Sequence, residues 1–146
     1  MDTISPEKRS WTMAQVKGRD TKPELIVRGL LHRLGLRFRV QRKDLPGKPD
    51  IVLPKHKTVI FVHGCFWHRH PGCKRASTPA DNAQYWQAKF ARTVARDAAH
   101  QIALEQLGWR VLIVWECELR DMPALAQRLA DAFHALHRTA RRLTSS

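Results

Sequence analysis

Sixteen consecutive residues constrain this chain more than any others. Thr58 to His63 is a nearly unbroken apolar run rich in β-branched side chains, the pattern of a strand buried within a fold. It leads directly into Gly64-Cys65-Phe66-Trp67-His68-Arg69-His70-Pro71-Gly72-Cys73, a short segment crowded with soft metal ligands, imidazoles and aromatic rings. A buried strand that delivers such a segment at its C-terminal end acts as a scaffold presenting chemistry, and the remaining elements must be arranged around it.

The chain has 146 residues, enough for a single domain over 1–146 with a sizeable core, and 43% of them are hydrophobic, which excludes a disordered chain. Lys and Arg number 26 against 13 Asp and Glu, a net charge of +13. Such an excess is self-repulsive in the folded state and favours a polyanionic partner, with nucleic acid the first candidate because binding releases condensed counterions. An anionic membrane surface and simple solubility are the blander explanations. No stretch approaches the roughly 20 apolar residues of a membrane span. Met1 to Pro6 lacks the apolar core of a signal peptide, so a cytosolic location is expected. With three cysteines in a reducing compartment, metal ligation is expected rather than disulfides.

Taken in order, Ser10 to Lys17 reads as a short helix and Gly18 to Lys22 as a turn, and residues 1–20 are expected to be a DNA-contacting segment. A helix starts near Pro23, carries Ile26, Val27, Leu30, Leu31 and Leu34 on one stripe, and stops at Gly35. Leu36 to Gln41 alternates like a half-exposed strand. Leu45 to Pro49 is turn-forming, Asp50 to Leu53 a short strand, and Pro54 to Lys57 a tight turn into Thr58 to His63, together an antiparallel hairpin. Arg75 to Ala83 reads as loop and Gln84 to Leu107 as a long basic and aromatic helix ending at Gly108. Arg110 to Trp115 is so apolar that a central strand buried on both faces is expected. A last helix begins at Pro123 with Leu125, Leu129, Ala132, Phe133 and Leu136 inward, followed by a loose basic tail over 138–146. The class is α/β, helices around a mixed central sheet.

Cys65, His70 and Cys73 lie within nine residues, and Cys117, just past the second apolar strand, completes a Cys3His set. Thiolates and imidazole in that number describe structural Zn2+, a closed tetrahedral site that pins the loop to a neighbouring strand. Buried free cysteines beside a surface His are the alternative. His63 and His68 remain, and imidazoles flanking such a loop on a basic protein are suited to proton transfer. Pro49-Asp50 opening a strand and hairpin points to the PD-(D/E)xK nuclease core, in which a carboxylate holds Mg2+ for phosphodiester cleavage. The usual acidic residue and lysine of that core are missing. Phe61-Val62-His63-Gly64 stands in their place, leaving a backbone carbonyl near Val62 and the two histidines to serve.

The chain resembles the very-short-patch mismatch repair (Vsr) endonucleases. The carriers are Arg9-Ser10-x2-Met13, Leu45 to Asp50, Val62 to His68, Tyr85-Trp86, Arg96-Asp97 and Gly108 to Cys117, in consistent order over most of the chain. The resemblance implies a restriction-endonuclease-like fold with a structural zinc site. It implies nicking of duplex DNA 5′ to the thymine of a T:G mismatch left by 5-methylcytosine deamination. By position it makes Asp50 and the Val62 carbonyl the Mg2+ ligands and His68 the catalytic histidine. His63, Glu24 and Asp97 become residues orienting water or histidine. Cys65, His70, Cys73 and Cys117 become the Zn2+ ligands. Phe66, Trp67 and Trp86 form an aromatic wedge inserted beside the mismatch, and Met13 and Lys89 lie near the mismatched pair. A MutL-like mismatch repair protein is the implied partner, and a monomer suffices to cut one strand. Glu24, read from its place alone, merely complements a helix dipole, and the aromatic rings alone also read as core, though for Trp67, between a metal ligand and His68, core burial is the weaker option.

Two departures bear on this. Pro71-Gly72 adds a residue between His70 and Cys73, which bends the zinc loop and reopens the choice between His70 and His68 as ligand. Thr93 stands where the family has a longer amide, which bears on base preference. A noncatalytic zinc-stapled DNA-binding module accounts for the charge and Cys3His alone, and a nuclease of this fold lacking mismatch specificity also stays open.

Overall fold

The structure is a computed structural model describing residues 21–144, with side chains described through Phe133 except that of Arg75. The proposed Ser10 to Lys17 helix, Met13 and the inward Leu136 lie outside the described residues or side chains. Helix α1 spans Lys22–Arg33, β1 Arg39–Val40, β2 Ile51–Leu53, β3 Thr58–His63, α2 Ala83–Gln106, β4 Arg110–Trp115 and α3 Met122–Thr144. The four strands form one mixed sheet in the order β1-β2-β3-β4. β1 and β3 both run antiparallel to β2, and β4 runs parallel to β3 with His63 opposite Trp115. The hairpin is the expected one, and its turn is a 3-10 segment, Pro54–His56, closed by Lys57 at φ +50°.

Side-chain alternation in the strands builds two cores. Ile51, Leu53, Ile60 and Val114 face one side, where they pack with Val27, Leu30 and Leu31 of α1 and Leu125, Leu129 and Phe133 of α3. Val52 and Val59 face the other side and meet Leu104 of α2, Leu45 and Trp109. Each fully buried aliphatic side chain in such a core contributes about 1.5–3 kcal/mol, so the hairpin is held from both faces. Helix α1 begins as its sequence dictates: the Thr21 hydroxyl accepts from the Glu24 N–H at 3.4 Å and proline follows in the first turn. The Asp121 carboxylate accepts from the Ala124 N–H at 3.1 Å at the start of α3. None of the described helices is long and apolar enough to cross a membrane.

Three expectations need correction. β4 is not central: it closes the sheet on the side opposite β1, and of its residues only Val114 is fully buried. Its apolarity serves the helices on its faces, while the Arg128 guanidinium donates to the Ile113 carbonyl at 2.7 Å and to the Glu118 carboxylate. The first strand is only Arg39–Val40, because Gln41 turns to φ +58° and leaves the extended region. Finally, α3 carries helical backbone to Thr144, through most of the segment expected to be a loose tail.

Candidate active site and metal centre

Antiparallel pairing of β2 and β3 places the start of β2 and the end of β3 at one edge of the sheet, and the parallel β4 ends there too. The first turn of α1 and the middle of α2 close over that edge. The result is a cleft of about 840 Å³ reached by Glu24, Asp50, His63, His68, Asp97 and Trp67.

Asp50, immediately before β2, accepts a hydrogen bond from the Val62 N–H to its Oδ2 at 2.7 Å. Burial lifts its carboxyl to about 7; the Val62 N–H opposes that rise, and the neighbouring Glu24 carboxyl, hydrogen-bonded to it, adds to it. Glu24 is itself buried, 4% exposed, and paired with Arg28 at 3.4 Å one helical turn on. Two carboxyls brought together away from water resist joint ionisation unless a cation sits between them, so the donor set suits a hard divalent ion such as Mg2+.

At the other wall, the His68 Nδ1 lies 2.6 Å from the Asp97 Oδ2. Asp97 thereby selects the tautomer that donates from Nδ1 and leaves the lone pair on Nε2. The ring of His63 stacks on that of His68 at 3.8 Å and 7°. His63 is buried and its Nδ1 has no hydrogen-bond partner. Burial and then the adjacent His68 lower its pKa to about 4 against the pull of Asp97, so it is neutral at physiological pH. The ligand atoms of His63, His68 and Asp97 lie within 4.8 Å of one another. Face-stacked rings, however, send their in-plane lone pairs side by side rather than toward one point. Such an arrangement is chemically able to orient an imidazole and pass a proton through the free Nε2 of His68.

Behind the histidines, Cys65, His70, Cys73 and Cys117 bring their ligand atoms within 4.8 Å of one another. A tetrahedral ion with Zn–S bonds of about 2.3 Å needs sulfurs roughly 3.8 Å apart, and the Cys117 Sγ already lies 3.3 Å from the His70 Nδ1. Without an ion, burial pushes the Cys65 thiol up to about 12, with Cys117 and Cys73 beside it. The cluster fits zinc, whose charge would hold the thiols as thiolates. Pro71-Gly72 causes no misfit. Gly72 takes φ +72°, and the Cys73 N–H returns to the His70 carbonyl at 3.3 Å. His70 thus belongs to the Cys3His cluster and His68 lies outside it, stacked on His63 and bonded to Asp97. The His70 ring also lies flat on Trp115 at 4.3 Å.

Phe66 and Trp67, projecting between the two centres, meet Trp86 and Phe90 of α2 in a cluster of mostly edge-to-face and tilted contacts at 5.1–6.4 Å. The Lys89 ammonium sits 5.0 Å over Trp67. Phe90 is buried beneath this group, whereas Phe66, Trp67 and Trp86 remain partly exposed, and Tyr85 beside them is 56% exposed. The rings form a supported platform at the cleft mouth rather than a closed core.

The family model described as DNA mismatch endonuclease Vsr matches residues 1–75 of this chain. The type II nicking enzyme V.XorIIP of Xanthomonas oryzae pv. oryzae is 52% identical over 130 residues, covering 89% of this chain and 95% of that protein. The DNA mismatch endonuclease Vsr of Escherichia coli is 44% identical over 128 residues, covering 84% of this chain and 81% of its own. The chain belongs to the Vsr family. It is a DNA endonuclease. Among solved structures, the catalytic domain of the homing endonuclease I-Bth0305I matches with a TM-score of 0.56 at 20% identity, over 80% of this chain and 98% of that one, a likeness of fold alone.

In this Vsr chain, of the residues named from the sequence, Glu24, Asp50, Val62, His63, Trp67, His68 and Asp97 line the cleft. Cys65, His70, Cys73 and Cys117 gather in the separate Cys3His cluster, Phe66, Trp86 and Lys89 meet Trp67 or its ring cluster, and Met13 lies outside the described residues. Sequence reasoning missed Arg28, whose i, i+4 spacing from Glu24 was the available signal. It also missed Glu116, which lines the cleft just past β4 and comes within 3.5 Å of a Cβ built on Gly64. Gly47 was read only as a turn residue. A Cβ there would meet His100 at 2.9 Å, so this glycine also lets the loop leading into Asp50 lie against α2.

Proposed function

We propose that this Vsr-family endonuclease nicks duplex DNA 5′ to the thymine of a T:G mismatch, the product of 5-methylcytosine deamination, in a Mg2+-dependent reaction that opens very short patch repair. The observation that carries the reading is the cleft itself: a half-buried Asp50 beside the buried Glu24 faces an Asp97–His68–His63 relay, with an aromatic platform at the mouth.

Asp50 and the Val62 carbonyl would hold Mg2+, with Glu24 positioning water beside it. When bound, the ion supplies polarisation of the scissile phosphate and of an attacking water. His68 exchanges the proton of the reaction at Nε2, since Asp97 holds its Nδ1–H. His63, neutral and buried, backs the His68 ring and fixes its plane. Water attacks phosphorus as the bond to the departing sugar oxygen breaks, one proton leaving the water and one reaching that oxygen. Zn2+ in the Cys65, His70, Cys73 and Cys117 set has no open position and serves structure.

The platform supports mismatch selection. A mispaired step is cheaper to unstack than a paired one, and Phe66, Trp67 and Trp86 offer faces on which an unstacked base recovers about 1–3 kcal/mol. Lys89 and the net charge of +13 favour the phosphate backbone. One cleft suffices for one strand, so the acting form is a monomer in the cytoplasm, with a MutL-like repair protein as partner.

The test is nicking of paired duplexes, T:G and fully matched, with and without added Mg2+, beside Asp50→Ala. Mg2+-dependent cutting of the thymine strand of the mismatch alone, absent in the variant, is the expected outcome. Equal cutting of both duplexes would leave a nuclease without mismatch selection, and full activity of Asp50→Ala would overturn the site.

A further inference from the structure

Three successive side chains leave the zinc loop in three directions: His68 to Asp97, His70 into the metal cluster, and Arg69 between them to neither. Arg69 takes φ +56°, which swings its side chain out of line with its neighbours. Its Nη1 donates to the carbonyls of Phe66 at 3.2 Å and Ser77 at 3.3 Å. Its Nη2 donates to the Ala76 carbonyl and to the Thr78 hydroxyl at 3.1 Å. The flat guanidinium lies 4.0 Å over the ring of Phe90, the buried floor of the aromatic platform, and 5.8 Å from that of Phe66. On a protein of charge +13, this cation is spent on backbone carbonyls and a ring face rather than turned out to phosphate.

We propose that Arg69 is a positioning residue for the Phe66–Trp67 wedge, fixing it to α2 so that it meets the DNA stack as a rigid body. The inference rests on the insertion reading above and adds to it what holds the wedge. Phe66 and Trp67 sit in irregular backbone, where side chains are ordinarily mobile. A wedge that yields cannot unstack a base step. Arg69 joins the Phe66 carbonyl, the returning 76–78 segment of the loop and the Phe90 face in one planar fork, a geometry that a lysine ammonium cannot reproduce.

The test places 2-aminopurine beside the mismatched thymine, so that unstacking is read as a fluorescence rise, and compares the zinc-loaded wild type with Arg69→Ala and Arg69→Lys. Bound zinc, KM and kcat are measured in parallel. Both variants should keep their zinc, lose most of the fluorescence rise, and raise KM for the T:G duplex by about tenfold, with a smaller change in kcat. An unchanged signal in Arg69→Ala, or full rescue by lysine, overturns the role of the fork. Loss of zinc in both variants also overturns it, because Arg69 would then be holding the metal loop. A wild type that gives no rise on T:G over matched DNA defeats the wedge reading itself and this inference with it, a result distinguishable from failure of Arg69 alone.

Discussion

The imidazoles of His63 and His68 lie face to face, 3.8 Å apart, yet only His68 has a carboxylate at its edge. The pair is therefore unequal: one ring is held in orientation by Asp97, the other is held neutral by burial. Asp97→Asn should preserve the fold but favour the wrong tautomer of His68. Single-turnover nicking should slow by about 10²–10⁴-fold, the range of general acid–base catalysis and of tautomer loss in other Asp–His pairs, with duplex affinity changed less than about threefold. A rate near wild type would remove Asp97 from the relay.

The same asymmetry sets opposite pH dependences of stability at the two walls of the cleft. His63 has a folded pKa lowered to about 4 from 6.5, so its contribution is present above 6.5 and is lost as pH falls toward 4. Asp50 has a folded pKa raised to about 7 from 3.8, so its contribution is present below 3.8 and is lost as pH rises through 7. In protein without added Mg2+, Asp50→Asn should therefore be more stable than wild type at pH 8, by on the order of 2 kcal/mol, and the advantage should vanish near pH 4. Urea unfolding at the two pH values measures this, and Mg2+ should restore the wild type selectively.

Removing a zinc ligand should separate folding from chemistry. Cys117→Ser should lower zinc content from about one equivalent toward zero and destabilise the protein by several kcal/mol, roughly 3 or more, since metal binding here closes a long-range loop. Metal analysis and thermal unfolding check this. Retained zinc would place the fourth ligand elsewhere.

Trp67→Ala should lower discrimination between T:G and matched duplexes by roughly tenfold, in line with one lost stacking face. Binding to matched DNA, governed by phosphate contacts, should change little. Equal losses on both duplexes would make Trp67 a general contact.

Much of this arrangement was legible because it is local. The Val27, Leu30 and Leu31 stripe, the Asp50 to His63 hairpin and the Cys65-to-Cys73 spacing each declare themselves within a few residues. The edge position of β4 did not, because apolarity reports which faces are covered and not whether a second strand lies alongside. The choice of His70 over His68 depended on Gly72 adopting a positive φ and on a carboxylate from α2, neither written in the loop. Arg28 and Arg69 act through partners set by backbone path, and basic residues abound in this chain, so composition gave them no distinction; Glu116 reaches Gly64 only through the pairing of β3 with β4.

The pairing of β3 with β4 places His63 opposite Trp115, and from those neighbouring ends the chain continues to Cys65 on one strand and Cys117 on the other. A slip of one residue between the strands would turn His63 to the other face and carry Cys117 out of reach of the remaining ligands at the same time. Capture of an ion by this set would thus work as an assembly check: only a chain in correct register could close the coordination, so a molecule that took up zinc there would also have aligned the strand that delivers its histidines.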